Sequence, residues 1–553
     1  MDLILPTEVL LHVAWHFVQP PWVLACGFSD INFEDNKDLR TLRSLCLVSK
    51  KLNVVATTVL YNTVNIGRED VDGYQRNTRD IASLIFLLRS LVENPGLRPL
   101  ITHVSCAADL RTSNLGLLIL YWEYWKATEE IRECLRKDLE ASFSNADDAA
   151  SIVLRTSGLF DPGRGISEPY NVTGESIFGA IVCLAHNLES LQLYCPSKPI
   201  RLGSSARHHS SIPRYTLLEK IITTSITNGA TGRRPPLQSL STLWLLPYRD
   251  LHLDFQNHSR QLGCHLQSVC NICPVFLGAP NLSSFHAKGL NALGWNQSLC
   301  KLRTFTAVDR SRFSSAALDV LFSSPGLTNL HLYEIDPEHW VGPPAEEDYL
   351  NSALARHCSQ TLQRLSIVIA TGRTNGDHRE RMMPAFGPAA HLTCLADFTC
   401  LKELHIQLCA LVGRATNVAS PPVQIETKLP SSLTKLVLCD EGWPNEPSIY
   451  DYPDGSDELR TYVHKHRHEI LDMLDRFAVN CKSRCPKLKS VYWERDMDTL
   501  DCFYPVAGEE GKVESDVCRQ FQAVGVKFGW SNDWSRYVHG NEFIIPESTH
   551  NLI

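Results

Sequence analysis

Several features that would assign a function are missing from this 553-residue sequence. It contains no Walker A lysine motif and no Gly-x-Ser-x-Gly motif, which argues against phosphate-loop and α/β-hydrolase chemistry. It has no long run of lysine and arginine, and its formal net charge is −8, so nucleic acid is not expected as a partner. No apolar run approaches the roughly 18 residues of a membrane-spanning helix, so no membrane partner is expected either.

The cysteines also lack the pattern of a disulfide framework. There are 19 of them, an odd number, and they are scattered along the chain. Residues 1–5 contain no basic residue, and Pro6 and Glu8 interrupt the apolar run, so no signal peptide is predicted. We therefore expect reduced, mostly buried thiols and a cytoplasmic or nuclear location.

Two segments are the strongest candidates for a metal site, and both are incomplete. In residues 264–273, Cys270 and Cys273 have the Cys-x-x-Cys spacing that supplies two of the four ligands of zinc, but a second spaced pair is missing, and His265 directly beside Cys264 would be an unusual donor. His464 and His468 lie one helical turn apart, but the glutamate that follows does not complete a His-Glu-x-x-His motif. Buried thiols and a solvated helix face are the favoured interpretations. We therefore expect no metal, no cofactor and no catalytic residue.

The N-terminal stretch carries the clearest local signals. A helix is predicted to begin around Pro6, because proline is tolerated in the first turn and Glu8 complements the positive end of the helix dipole. A second helix is predicted over about residues 38–60, where apolar residues recur at spacings of three and four.

This pair of helices resembles an F-box. The family begins with Leu-Pro-x-Glu-Ile/Val and continues to a helix with the pattern Leu-x-x-Leu-x-x-Val-Cys-x-x-Trp. The matching positions are Leu5, Pro6, Glu8, Val9, Leu42, Leu45 and Val48. Ser49 and Leu52 stand where the family usually has Cys and Trp, and the connection over residues 14–37 is longer than usual.

The resemblance implies docking to Skp1, the adaptor of a cullin-based ubiquitin ligase. The residues that it assigns to the contact with Skp1 are Leu5, Pro6, Val9, Leu42, Leu45 and Val48. Some of these will instead hold the helices together, and the sequence does not sort the two groups. The alternative is a two-helix packing unit without a partner.

A second pattern, apolar-x-x-apolar-x-apolar, recurs nine times. It starts at Leu188, Leu240, Leu282, Leu302, Leu327, Leu362, Leu401, Leu433 and Leu488. The last three positions of the pattern, apolar-x-apolar, alternate as the residues of a strand do, so each copy predicts a strand. Helical stretches between many of these strands predict a parallel sheet. The starts are 20 to 55 residues apart, which is less regular than the period of about 20–29 residues in strict leucine-rich repeats.

This part of the chain resembles the degenerate leucine-rich-repeat region of F-box proteins, especially the large fungal set. We therefore predict an α/β fold, in which a short N-terminal helical F-box precedes an irregular leucine-rich-repeat solenoid with a parallel sheet. The alternative is a doubly wound α/β domain with chance leucine spacing. The predicted parts are an F-box-like domain at 1–66, a cap with the first irregular repeats at 67–187, degenerate repeats at 188–500 and a closing segment at 501–553.

By this resemblance the chain is not an enzyme. It is expected to be the substrate receptor of an SCF-type (Skp1–cullin–F-box) ubiquitin ligase, with Skp1 and, through it, a cullin as partners. The alternative is a leucine-rich-repeat scaffold that binds proteins without a link to ubiquitin.

Strand alternation also predicts a binding surface for the target. The residue between the last two apolar positions points away from the leucine core, towards the concave face of a solenoid. These positions and their neighbours are rich in the residue types that dominate protein interfaces. An unidentified protein target is expected to contact Gln192, Trp244, His331, Tyr333, Arg364, His405 and Tyr492. The alternative is that other segments cover Trp244.

Overall fold

The computed structural model describes sixteen stretches of the chain. They are residues 6–15, 37–66, 83–84, 86–106, 173–195, 237–247, 267–268, 279–288, 290–292, 299–308, 311–335, 349–369, 392–412, 424–439, 457–494 and 510–531. These stretches form two compact units, one ending at Ala287 and the other beginning at Lys288. No helix within the stretches is long and apolar enough to cross a membrane.

Three helices open the first unit: α1 (Thr7–Trp15), α2 (Lys37–Val48) and α3 (Lys50–Asn62). The prediction of one continuous helix over residues 38–60 is wrong, because the helix is interrupted at Ser49. This residue has an extended backbone, and its hydroxyl accepts a hydrogen bond from the backbone N–H of Leu52 at 3.2 Å. A serine in this position satisfies one of the free N–H groups of the helix start, so it begins a new helix.

Packing between the three helices forms a small apolar core. Its buried members are Ala14, Leu42, Val55, Ala56 and Val59. The side-chain amide of Asn53 donates a hydrogen bond to the carbonyl oxygen of Cys46 at 2.9 Å and so ties α3 to the end of α2. The N-terminal helices therefore form a folded helical unit.

The rest of the first unit is built on parallel strands. In chain order its elements are β1 (Thr63–Ile66), β2 (His103–Cys106), α4 (Thr173–Leu184), β3 (Ser190–Cys195), β4 (Thr242–Pro247), β5 (Gln267–Ser268) and β6 (Ser284–Lys288). Strands β1, β2, β3, β4 and β6 pair in that order, all parallel. Their register places apolar residues side by side, namely Val64, Val104, Leu191, Leu243 and Phe285.

The second unit repeats this design. In chain order its elements are β7 (Leu290–Ala292), β8 (Thr304–Val308), β9 (Arg312–Phe313), α5 (Ser315–Phe322), β10 (Asn329–Ile335), α6 (Tyr349–Cys358), β11 (Arg364–Ile369), β12 (Glu403–Gln407), α7 (Leu408–Val412), β13 (Lys435–Cys439), α8 (Asp457–Arg484), β14 (Ser490–Glu494), α9 (Glu510–Ala523) and β15 (Lys527–Ser531). Strands β8, β10, β11, β12, β13, β14 and β15 are parallel neighbours. A parallel pair β7–β9 accompanies them.

The same position of the repeated pattern fills the core of the second unit. Across the strands the register aligns Phe305, Leu330, Leu365, Leu404, Leu436, Val491 and Phe528. All of these except Phe528 are at most 1% exposed. Each of the nine predicted strand positions coincides with a strand, and neither set of strands closes into a barrel. The prediction of an α/β fold with a parallel sheet is therefore confirmed.

A backbone hydrogen bond recurs immediately before successive strands. In the second unit the N–H of Gln363 donates to the carbonyl of Thr328, and the N–H of Lys402 donates to the carbonyl of Gln363. In the first unit the N–H of Ser241 donates to the carbonyl of Glu189 in the same way. The repeats are therefore equivalent in backbone geometry despite their irregular spacing.

Candidate functional site

The apolar side chains of the helical unit fall into a buried and an exposed group. Leu42 is fully buried, and Leu45 packs against the same core. In contrast, Val9 is 42% exposed and Val48 is 67% exposed. Leu42 therefore belongs to the residues that hold the helices together, because its surface is used inside the unit. The structure leaves Val9 and Val48 accessible to a partner.

Of the two remaining residues of the predicted contact, the structure describes one. Pro6 is exposed just before α1, while Leu5 lies outside the described residues. Leu47, which the family motif does not include, is 88% exposed beside Val48. Val9, Leu47 and Val48 therefore leave apolar surface of the helical unit uncovered and available to a protein partner.

The predicted target-binding residues have a different environment from the one expected. Gln192, Trp244 and His405 lie on the face opposite the leucine core, as strand alternation requires, but they are buried. Trp244 stacks on His286 with ring centroids 3.8 Å apart. The prediction that these three side chains are exposed is wrong, because alternation determines the face that a side chain occupies and not whether solvent reaches that face.

The other predicted target residues remain partly accessible. His331, Arg364 and Tyr492 are intermediate in exposure, whereas the side chain of Tyr333 lies outside the described part. The Nε of Arg364 lies 3.3 Å from Oε1 of Glu403, and Lys435 is the next residue in the same register. Arg364, Glu403 and Lys435 thus form a row of alternating charge across three adjacent strands, which we call the charge ladder.

Lys435 connects this charge ladder to the aromatic ring beside it. Its Nζ lies 5.8 Å from the centroid of the Tyr492 ring. Burial lowers the pKa of Lys435, while the nearby Glu403 carboxylate acts in the opposite direction. The ladder is therefore partly shielded from solvent, which strengthens its ion pairs.

Three adjacent strands bring a histidine, a cysteine and a glutamate together on the same face. They are His405 on β12, Cys439 on β13 and Glu494 on β14. Nε2 of His405 lies 2.7 Å from Sγ of Cys439 and 2.8 Å from Oε2 of Glu494. The Cys439 thiol donates to that same oxygen at 2.9 Å. We call these three residues the His–Cys–Glu cluster.

Strand register explains how this cluster forms. Cys439 and Glu494 are paired residues of β13 and β14, and His405 is diagonal to Cys439 across the β12–β13 pair. The longer histidine and glutamate side chains meet over the short cysteine. His405 and Glu494 are each only 1% exposed, so the cluster is closed to solvent.

The sequence interpretation named His405 but assigned it to target binding, and it did not single out Cys439. The signal was nevertheless present in the repeats. His405 lies between the last two apolar positions of its repeat, whereas Cys439 and Glu494 directly follow the last apolar position of theirs. Strand alternation places all three on one face, but only the cross-strand register shows that they touch.

The two metal candidates predicted from the sequence fall largely outside the described residues. Residues 264–273 lie almost entirely outside the described stretches. His464 and His468 fall on α8, but their side chains are also outside the described part. The only group of three metal-binding residue types that the described stretches bring together is the His–Cys–Glu cluster.

The described cysteines behave as buried thiols. None of them forms a disulfide, and most are buried. Burial raises the pKa of Cys183, Cys358 and Cys485 to about 12. Because the thiolate is the reactive form, these three side chains are chemically inert at neutral pH.

His331 makes the stability of the second unit sensitive to acid. Burial lowers the pKa of His331 to about 3, and the charges of His405 and Arg364 act in the same direction. In the unfolded chain histidine takes up a proton near pH 6.5. Between these two values the unfolded state binds more protons than the folded state, so stability rises with pH and is lost as the pH falls through this window.

We expect the free energy of unfolding to fall by up to about 2 kcal/mol through His331 between about pH 7 and about pH 5. This is an upper limit, because part of the side chain remains at the surface. Chemical denaturation of the wild type and of His331→Gln at both pH values measures the effect. The variant should lose less stability on acidification, and an identical pH dependence in the two proteins would contradict the assignment.

No protein-family model matches this chain, and no curated protein sequence matches it. By its fold, the chain is an α/β protein in which a helical unit with exposed apolar side chains precedes parallel strands in the sequence.

Proposed function

We propose that this protein is the substrate receptor of an SCF-type ubiquitin ligase. The helical unit binds a Skp1-like adaptor and, through it, a cullin, while the repeat region binds a protein target. The chain itself performs no covalent chemistry in this assembly. Its contribution is to hold the target close to the ligase.

The exposure of Val9, Leu47 and Val48 carries this proposal. Apolar side chains that are not used in the core of their own domain cost free energy in water, and a partner that covers them recovers about 25 cal/mol per Å² of apolar surface. The family motif selects Val9 and Val48 for this role, and their exposure agrees with it. The buried Leu42 has the complementary role of holding α2 against α3.

The repeat region supports the second half of the proposal through its architecture. In the second unit, strands of equivalent backbone geometry carry partly accessible histidine, arginine and tyrosine side chains on one face, beside the charge ladder. Such residues provide contact area and directed hydrogen bonds. We assign target contact to His331, Arg364 and Tyr492, and withdraw Gln192, Trp244 and His405 from it, because these three are buried.

Co-purification with Skp1 tests the proposal. The full-length chain and a chain that begins at Gly67 are each mixed with purified Skp1, and the bound fraction is measured after size-exclusion chromatography. We expect a stable complex with the full-length chain and none with the truncated chain. Equal recovery of Skp1 by both chains, or by neither, would reject the ligase function.

The same experiment addresses the alternative function as a binding scaffold. Proteins that co-purify with both chains from a lysate would identify partners of the repeat region. If such partners appear while Skp1 binds neither chain, the protein is a scaffold without a link to ubiquitin.

A further inference from the structure

We propose that the His–Cys–Glu cluster is a zinc site, with Nε2 of His405, Sγ of Cys439 and both carboxylate oxygens of Glu494 as its four donor atoms. This inference is independent of the proposed ligase function, since it concerns only the second unit. Imidazole nitrogen, thiolate sulfur and carboxylate oxygen are the three ligand types that zinc takes in proteins.

The distances between the three donor atoms agree with a site ready to take up a metal. In the structure they lie 2.7–2.9 Å apart and share hydrogen bonds. Ligands on a tetrahedral zinc ion lie about 3.3–3.6 Å apart, given zinc–ligand distances of about 2.0–2.3 Å. Replacing the shared protons by zinc therefore requires side-chain movements of less than about 1 Å. On binding, the thiol proton goes to solvent, and His405 takes the tautomer in which Nδ1 carries the ring proton and donates it to Oγ of Ser366, so that Nε2 is free to bind zinc.

The environment of Glu494 is a second and independent indication of a cation. Its Oε1 is buried and accepts no hydrogen bond among the residues that the structure describes. A buried carboxylate is costly unless it is paired with a positive charge or a metal. The groups that contact its other oxygen are an imidazole, which is positively charged only when it is protonated, and a thiol, which is never positively charged. A divalent ion would supply that charge and also use the second oxygen.

The surroundings of His405 favour the same role. Its other ring nitrogen, Nδ1, lies 3.0 Å from Oγ of Ser366 on β11. Histidine ligands of metals almost always hold the second ring nitrogen in such a hydrogen bond, which fixes the orientation of the ring. Ser366 therefore orients His405 towards Cys439. All four side chains start from adjacent strands of one sheet, which provides a rigid support.

A nucleophilic cysteine is the main competing explanation, and the geometry argues against it. In such sites the base contacts the nucleophile through one ring nitrogen and its orienting group through the other. Here both Cys439 and Glu494 approach the same nitrogen of His405. Cys439 is also only 3% exposed, so a substrate would not reach its sulfur.

Metal titration of the purified full-length protein tests the site. The protein is stripped with a chelator under reducing conditions, titrated with Co²⁺ as a spectroscopic substitute, and then with Zn²⁺ in competition with a chromophoric chelator. We expect one equivalent bound with a thiolate-to-cobalt absorption band. Cys439→Ser should abolish that band and weaken zinc binding by at least about 100-fold, whereas Ser366→Ala should weaken it by about 10-fold.

Two further variants make the result specific. Cys183→Ser removes a buried cysteine from the first unit and should leave the titration unchanged, while Cys270→Ser tests the cysteine-rich segment at residues 264–273. The proposal is overturned if the folded wild type binds no zinc or shows no thiolate band. It is equally overturned if Cys270→Ser abolishes the band and Cys439→Ser does not. If Cys439→Ser does not fold, His405→Gln and the band of the wild type decide the outcome by the same criteria.

Discussion

Leu404→Ala is expected to lower the free energy of unfolding of the second unit by about 2–5 kcal/mol. Leu404 is 1% exposed in β12 and stands in register with Leu365 and Leu436 on the neighbouring strands. Truncating it removes buried methyl groups and leaves a cavity that parallel strands close only partially. We expect similar losses for Leu330→Ala and Leu436→Ala, because both side chains are fully buried at the equivalent position.

Thermal and chemical denaturation of the three variants measure these losses. Leu47→Ala is the matched control, since the same side chain is removed from a site that is 88% exposed. Its effect should stay within about 0.5 kcal/mol. Wild-type stability in all three core variants would show that the repeated leucines do not hold the sheet together.

Val48→Glu is expected to weaken binding of Skp1 by at least about 10-fold without lowering the melting temperature. Val48 is 67% exposed, so a charge is tolerated in the free protein, but burying that charge at an apolar interface is costly. A 10-fold change requires only about 1.4 kcal/mol. Val9→Glu should act in the same direction. Titration calorimetry with purified Skp1 measures both.

Two control variants separate binding from folding. Val479→Glu introduces the same charge at an exposed valine of α8 in the second unit, and it should bind Skp1 like the wild type. Leu42→Ala should instead destabilise the helical unit, because Leu42 is fully buried in its core. If Val48→Glu binds Skp1 as tightly as Val479→Glu does, the exposed valines are not the docking surface.

Local sequence patterns predicted most of the secondary structure because each rests on short-range physics. The strand beginning at Glu403 follows from the alternation of Leu404, His405 and Ile406, which places leucine and isoleucine on one face. The helix break at Ser49 was missed for the same reason. Apolar residues recur at helical spacing on both sides of Ser49, so the sequence looks like one helix. The capping hydrogen bond from the N–H of Leu52 to Ser49 starts a second helix there and leaves the spacing of the apolar residues unchanged.

Exposure was predicted less well, since it depends on what covers a face. Trp244 was expected to meet a target, yet it is 8% exposed and stacked on His286. Val48 and Leu42 belong to the same apolar stripe in the sequence, but one is exposed and the other is fully buried. The number of residues that separates two side chains does not reveal which of them the neighbouring helix will cover.

The sequence by itself determined that the chain forms amphipathic N-terminal helices followed by parallel strands with one leucine-rich face, because periodicity reports which side of an element is apolar. Only the tertiary structure decided that His405, Cys439 and Glu494 meet. Along the chain, Cys439 lies 34 positions after His405, and Glu494 lies 55 positions after Cys439. Contacts across strands depend on register, and register is set by the packing of every strand in the sheet rather than by any one of them.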